Sequence, residues 1–157
     1  MRFHLVLLAC LLSSNSLVGQ DARVAPNAPP DRPLGADSAQ WARMNQAIAP
    51  YVAQARASYP EAKRRYLAGL PAGQHFFVTT RLRDSTGRVE QVFIAVDSLR
   101  STHIHGKIWS EIKWVQGYRL YQPFEMEERD LLDWLIARPD GTEEGNFVGN
   151  FLDTYRP

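Results

Sequence analysis

Hydrophobic residues recur at helical spacing ahead of the strand-like part of the chain. Steps of three and four residues place these positions on one face of an α-helix. They are Trp41, Met44, Ile48, Val52 and Ala55. Asp37 or Ser38 is a suitable N-cap for this helix. Pro50 lies inside the stripe, so we expect a kink there or a division into two shorter helices.

A further helix is predicted directly after the first. It begins near Pro60 and carries Ala62, Tyr66 and Leu67 on one side. The sequence Gly-Leu-Pro at 69–71 ends it, because glycine favours a helix C-terminus and proline cannot continue a helix.

From Gly73 onwards the pattern changes to alternation, which is typical of half-buried strands. We expect strands over 75–83, 89–96, 103–110 and 118–124, with a hairpin turn at 84–87. The side chains expected to face the core are Phe76, Val78, Thr80, Leu82, Val92, Ile94, Val96, Ile104 and Ile108. Segment 131–137 fits either a short helix or a strand, and 138–141 has strong turn chemistry.

Together these elements predict an α+β fold. The N-terminal helices pack on one face of a small, twisted antiparallel sheet of about four to five strands, which can curl into a partial barrel. We expect residues 37–157 to form this single domain.

The first 20 residues have the layout of a secretory signal peptide. Arg2 gives a positive start, residues 5–12 are apolar, and a polar serine-rich exit follows. The apolar run is too short to span a bilayer. A buried core helix is the alternative, but the position and the flanking residues favour export to the periplasm or the exterior. Residues 21–36, with four prolines, are expected to be a disordered tether.

Cys10 is the only cysteine and leaves an alternative open. Residues 7–10 resemble a lipoprotein processing site, which would leave a lipid anchor on Cys10. However, the apolar run before it is short, and Leu11 and Leu12 continue that run. Cleavage near residue 20 instead leaves no cysteine, so stability would rest on a buried core rather than on disulfides.

The charges are balanced overall and segregated along the chain. The formal net charge is +1; residues 21–119 hold 14 basic and 8 acidic groups, and residues 120–157 hold 3 and 9. We expect ion pairs between these two segments, and a balanced chain is a poor binder of nucleic acid.

A series of less common residues carries a family resemblance. Glu90-Gln91-Val92-Phe93-Ile94 is followed by Gly106-Lys107-Ile108-Trp109, Gly117, Asp133-Trp134 and Gly145-Asn146. Over residues 59–151 this order and spacing resemble the bacterial domain-of-unknown-function family 2314. Gln91 stands where that family has a histidine, and Phe93 stands where it has a tryptophan.

The resemblance implies a fold unit without an assigned activity. The family-pattern candidates are Glu90, Gly106, Asp133, Trp134 and Gly145. We interpret the glycines as backbone positions that need positive φ or close approach. Trp134 is interpreted as a core residue, and Asp133 as a capping or pairing group.

His103 and His105 are the candidate metal ligands. Residues two apart on a strand share a face, so both imidazoles would project to the same side and could bind zinc or copper. A third ligand would have to come from His75, Glu90 or Glu111. The alternative is that both histidines simply face water, and Lys107 nearby would repel a cation.

The same alternation predicts a cationic and aromatic face on the other side of the sheet. Its residues are Phe77, Thr79, Arg81, Arg83, Gln91, Phe93, His103, His105, Lys107 and Trp109. Such a composition is typical of binding surfaces, and the binding candidates are Arg81, Arg83, Phe93, Lys107 and Trp109. Alternatively, a helix covers part of the face and the arginines lie over the aromatic rings.

No nucleophile elbow, phosphate-binding glycine loop or dinucleotide fingerprint accompanies these residues, and no cofactor is predicted. The leading hypothesis is therefore an exported, non-catalytic binding domain for a protein or a cell-envelope component. The alternative is a metal-binding protein or metal-dependent hydrolase that uses His103 and His105.

Overall fold

The computed structural model describes residues 38–155 of the chain. The predictions for the signal peptide, Cys10 and the tether lie outside these residues. The described part contains two α-helices and six strands. They are α1 (Ser38–Ala68), β1 (His75–Arg83), β2 (Val89–Arg100), β3 (His103–Ile108), β4 (Pro123–Glu127), β5 (Asp133–Ala137), β6 (Glu143–Gly145) and α2 (Phe147–Thr154).

Helix α1 is continuous over 31 residues, so the expected division at Pro50 and the separate helix expected from Pro60 are both wrong. Pro50 and Pro60 both lie inside it with exposed side chains. Each proline removes one backbone hydrogen bond, but the buried stripe continues past both. Its buried members are Ile48, Ala55, Tyr59 and Ala62. Leu67, which was expected on the packed side, is 59% exposed.

All six strands form one open sheet in the order β4-β3-β2-β1-β5-β6, and every neighbouring pair is antiparallel. The α+β prediction is confirmed, with one strand more than the upper expectation. In the central pair, Val78 lies opposite Ile94 and Leu82 opposite Glu90. A register shift between Val96 and Ser98 lets β2 bend and continue to Arg100.

The structure corrects one predicted element and decides between the two alternatives for another. The fourth strand is Pro123–Glu127 rather than 118–124, because residues 118–122 form a turn in which Tyr121 has φ of 63°. Segment 131–137 contains the strand β5, all of whose residues are buried. The apolar run therefore reflects a strand covered on both faces rather than a helix. Neither β6 nor α2 was predicted.

The connection from β4 to β5 requires the sheet to curve. These strands are four positions apart, which is about 19 Å across a flat sheet. Only residues 128–132 join them, and Glu128–Asp130 is a compact 3₁₀ turn. The connection lies against β1, where the Thr80 hydroxyl donates to the Asp130 carbonyl oxygen (3.1 Å) and the Leu132 N–H donates to that of Thr79 (2.8 Å). The sheet is therefore curved but not closed.

The main core lies between α1 and the concave face of the sheet. Ala55, Tyr59 and Ala62 of the helix pack against the inward residues of the strands. The inward residues are Phe76, Val78, Leu82, Val92, Ile94, Ile104, Ile108, Met126, Trp134 and Ile136. A second, smaller cluster occupies the opposite face, which we call the outer face; it contains Phe77, Leu135 and Ala137.

The predicted pairing between basic and acidic segments is present among the described residues. Lys63 of α1 forms an ion pair with Glu128, and Arg65 forms one with Glu144. Both pairs join the helix to the acidic part of the chain at partly exposed positions. Such pairs contribute modestly to stability, and their main consequence here is the register of α1 on the sheet.

We predict that Gly106→Ala is strongly destabilising. A Cβ at this position would overlap the Ala95 carbonyl oxygen and lie 2.8 Å from Cγ2 of Ile94. We expect the free energy of unfolding to fall by about 3 kcal/mol in urea denaturation. Gly87→Ala is the matched control, because its Cβ would meet open space and only its φ of 85° is strained. The control should cost about 1 kcal/mol; equal losses in both variants would contradict the close approach at Gly106.

Candidate functional site

Glu90 is fully buried and binds backbone, not substrate. Its Oε1 accepts from the N–H of Lys113 (2.9 Å), and its Oε2 accepts from the N–H groups of Trp114 (2.8 Å) and Val115 (3.0 Å). A carboxylate with three donors satisfies backbone groups that would otherwise be buried without a partner. Glu90 therefore holds the loop after β3 against the sheet.

Asp84, in the hairpin turn, binds Gln116, the residue of the same loop that follows Val115. Its Oδ2 accepts from the Gln116 N–H (3.0 Å), while its Oδ1 accepts from the hydroxyl and N–H of Thr86 and from the Arg88 N–H. The hydrogen bonds from Thr86, together with those from the Gln116 and Arg88 N–H groups, lower the pKa of Asp84 to about 2. Sequence reasoning had assigned Asp84 only to the turn.

Asp133 has the capping role expected for it. One carboxylate oxygen accepts from the Trp134 N–H (2.8 Å), and the other accepts from the Val148 N–H in the first turn of α2 (2.6 Å). Burial raises the pKa of Asp133 to about 6, although the hydrogen bonds from the helix oppose this shift. Asp133 thus fastens α2 to the start of β5.

Trp134 joins three elements and is a core residue, as expected. Its Nε1–H is shared between the Ala55 carbonyl oxygen (3.1 Å) and the Ser58 hydroxyl (3.0 Å) of α1. Its ring packs against Phe76 of β1 and Phe147 of α2. Gly145 lies directly beneath it, since a Cβ there would be 2.8 Å from the Trp134 ring. The family-pattern residues are therefore structural.

The outer face carries aromatic side chains that the helices leave partly uncovered. Trp109 packs 6.2 Å from the Phe77 ring and 5.0 Å, edge-on, from Tyr121. Phe93 lies half-buried against the same cluster. We call Phe77, Phe93, Trp109 and Tyr121 the aromatic patch. Tyr121 is 38% exposed; it was expected within a strand over 118–124 but lies in a turn at positive φ.

Two polar atoms at this face are buried without a hydrogen-bond partner in the described part of the chain. They are the Trp109 Nε1 donor and the Gln91 carbonyl oxygen Oε1. Buried polar groups in native proteins are almost always paired, so unpaired ones mark strain or a binding site. Both residues belong to the cationic and aromatic face that the alternation predicts.

The structure places the two arginine candidates differently. Arg83 is exposed and donates to the Gly87 carbonyl oxygen (3.2 Å). Arg81 turns to α1, where its guanidinium donates to the Asn45 side chain and lies 5.6 Å from the centre of the Trp41 ring. The alternative that an arginine lies over an aromatic ring therefore applies to Arg81. Lys107 is exposed at the edge of the aromatic patch.

His103 and His105 do share a face, and both approach Glu125 of β4. The distances are 3.9 Å from Nε2 of His103 to Oε1 and 3.5 Å from Nδ1 of His105 to Oε2. Of the proposed third ligands, Glu90 is occupied by backbone N–H groups. Among residues 38–155, no group of three or more His, Cys, Asp or Glu side chains is arranged to hold a metal ion.

Comparisons with protein-family models, with curated proteins and with solved structures found no match. The resemblance to the domain-of-unknown-function family 2314 therefore stays a prediction. Neither helix of the described region is long and apolar enough to cross a membrane.

We predict that Glu90→Gln destabilises the protein by about 3 kcal/mol, which lowers the melting temperature by roughly 10 °C. Glutamine has one acceptor oxygen, so its NH₂ group would face at least one of the N–H donors of residues 113–115. Glu111→Gln is the control, since Glu111 is exposed in the same loop. Thermal unfolding by circular dichroism measures both. A Glu90→Gln variant as stable as the control would contradict the anchoring role.

A pH effect on stability should follow from the raised pKa of Asp133. Its folded pKa of about 6 lies above the value of about 3.9 for an unfolded chain, so the folded state binds more protons between these values. The associated stability is fully present below about pH 4, falls as the pH rises through about 6, and is then constant. The loss is roughly 3 kcal/mol.

The measurement is the difference in urea unfolding free energy between the wild type and Asp133→Asn across this range. Other titrating groups cancel in the difference, including Asp84, whose stabilisation is lost only as the pH falls towards about 2. We expect the wild-type advantage to shrink as the pH rises. An advantage independent of pH would show that Asp133 titrates alike in both states.

Proposed function

We propose that this protein is an exported, non-catalytic binding domain that captures a protein or a cell-envelope component on its outer face. The observation that supports the proposal is the aromatic patch, with exposed Tyr121 packed edge-on against Trp109. Aromatic side chains at the centre and polar ones around them are typical of protein-binding surfaces. The polar surround consists of Gln91, His103, His105, Lys107 and Glu125.

The unpaired polar atoms determine which hydrogen-bonding groups a partner must present to this patch. The Trp109 Nε1 donor needs an acceptor, and the Gln91 oxygen needs a donor. Because both atoms are buried, the Trp109 and Gln91 side chains must shift before a partner's polar groups can reach them; the hydrogen bonds then formed would recover free energy that the unbound domain lacks. An extended peptide or a loop that presents backbone N–H and C=O groups meets both needs.

Arg81 does not belong to the proposed binding surface. Its guanidinium is committed to Asn45 and Trp41 of α1, so its replacement would act on the fold as well as on any partner. The contacts to the partner are assigned instead to Phe93, Trp109 and Tyr121, with Lys107 and Arg83 at the periphery. The histidine pair is included as part of the polar surround, without a metal.

We predict that Tyr121→Asn abolishes capture while the fold stays intact. Asparagine tolerates positive φ better than tyrosine, so the substitution removes the ring without adding backbone strain. The measurement is retention of envelope components on the immobilised full chain, with circular dichroism as the check on folding. Capture that depends on the patch should also be lost in Lys107→Glu.

The matched controls are Trp114→Ala and Lys113→Glu. Trp114 is 48% exposed and lies on the loop held by Glu90, next to Val115, which packs in the main core rather than in the aromatic patch. Lys113 is exposed on the same loop. A component retained by the controls and lost from both patch variants supports the proposal. Equal retention by all four variants would refute it.

A further inference from the structure

A cleft lies at the end of β1, between α1 and the connection from β4 to β5; it contains no residue of the aromatic patch and shares only Glu125 with the polar surround of that patch. Its volume is about 330 Å³. Three arginines line it, Arg56 from α1, Arg81 from β1 and Arg129 from the connection. Phe124, Met126 and Leu132 give it an apolar wall. Three guanidinium groups around one small cleft are unusual, because like charges repel.

Two of these arginines are held in place without a neutralising carboxylate. Arg56 donates from Nε to the Leu131 carbonyl oxygen (2.8 Å) and from a terminal nitrogen to that of Arg129 (2.9 Å). Arg81 donates to the neutral Asn45 side chain. Within the described residues, neither of them forms a salt bridge. Arg129, at the exposed edge, pairs with Glu127 (2.7 Å).

Arg81 also retains an unused hydrogen-bond donor. Its Nε is buried and has no partner in the described part of the chain. Burial lowers the pKa of Arg81, and the nearby charges of Arg56 and Arg83 add to this shift. The positive charge is thus costly in the unbound protein, and an anion between Arg56 and Arg81 would offset the cost.

The charged residues that line the cleft limit the charge of the anion that it can bind. Glu125 and Asp130 also border the cleft, so a dianion such as phosphate would meet two carboxylates. The apolar wall favours a ligand with a hydrophobic part. The volume equals roughly eleven water molecules at about 30 Å³ each, which admits a small aromatic or aliphatic acid.

We infer that this cleft binds a small organic monocarboxylate, whose carboxylate lies between Arg56 and Arg81 and whose apolar body lies against Phe124, Met126 and Leu132. Planar guanidinium groups match the geometry of a carboxylate and donate to both of its oxygens. Seating the carboxylate requires the Arg81 side chain to rotate so that its unpaired donor reaches the ligand. The inference is independent of capture at the outer face.

The test is calorimetric titration of the full chain with benzoate, benzamide and inorganic phosphate. Benzoate and benzamide have the same shape but differ in charge. We expect benzoate to bind saturably, and we expect benzamide and phosphate not to bind. Equal binding of benzamide, tighter binding of phosphate, or the absence of saturable benzoate binding would each overturn the inference.

Substitutions locate the site. Arg81→Lys keeps the charge and removes the planar fork, so we expect benzoate affinity to fall by at least about tenfold, as for a lost charge-assisted hydrogen bond. Arg83→Lys, on the same strand, should bind benzoate as the wild type does. Unchanged affinity in Arg81→Lys would place any binding elsewhere and overturn the inference.

A second variant keeps the test decisive if Arg81→Lys does not fold. The Arg129 side chain is 76% exposed, so Arg129→Glu should fold while it reverses a charge at the edge of the cleft. We expect it to weaken benzoate binding several-fold, and Arg119→Glu, which makes the same change outside the cleft, to have no effect. Equal affinities in these two variants would count against the site.

Discussion

The structure depends on buried carboxylates that accept hydrogen bonds from backbone N–H groups. Glu90 holds residues 113–115, Asp84 holds Gln116, and Asp133 holds the start of α2. Burying an ionised carboxylate is costly unless donors surround it, and the raised pKa of Asp133 is a sign of that cost. In return, the β3–β4 connection and the start of α2 are fixed to the sheet by directional hydrogen bonds.

The long connection between β3 and β4 shows what this anchoring achieves. Its middle is held by Glu90 and Asp84, and its two ends are held by backbone bonds. The Trp109 N–H donates to the Phe93 carbonyl oxygen (2.8 Å), and the Tyr121 N–H donates to that of Ile108 (2.7 Å). A loop fixed along its length can hold Trp109 and Tyr121 in one geometry. Preorganisation of this kind lowers the entropy cost of binding a partner.

Local patterns predicted the fold best where one periodicity dominates. Strand β1 matches its predicted bounds, and the side chains expected to face the core lie in the main core except for two. Val96 is only partly buried against the core, and Thr80 binds the Asp130 carbonyl oxygen. The division predicted at Pro50 was wrong because the packing along α1 outweighs the one backbone hydrogen bond that proline removes. The short β6 and α2 depend on Asp133 and Trp134, which reach them from β5. No pattern within residues 143–154 reports those distant contacts.

The candidate sites were predictable only in part, for a related reason. Alternation correctly placed Phe93, His103, His105 and Trp109 on one face, because strand geometry alone decides it. It could not reveal that Arg81 turns to Asn45, since that contact depends on where α1 crosses the sheet. The arginine-lined cleft exists only because residues 128–132 cross the concave face and bring Arg129 near Arg56. Contacts between residues so far apart in the chain leave no pattern in the local sequence.

The five family-pattern candidates have one property in common, which bears on function. Glu90, Asp133 and Trp134 are buried, and Gly106 and Gly145 are positions where a Cβ would collide with backbone. Each maintains a junction between elements, and none of their side chains is exposed to a partner. A pattern of this kind specifies a scaffold and leaves its surfaces free to differ. Tyr121 and Lys107 on the outer face, and Arg56 and Arg81 in the cleft, are the groups proposed to bind. None of them is among the five family-pattern candidates. The two arginines nevertheless also take part in the fold, since Arg56 bonds the β4–β5 connection and Arg81 bonds α1.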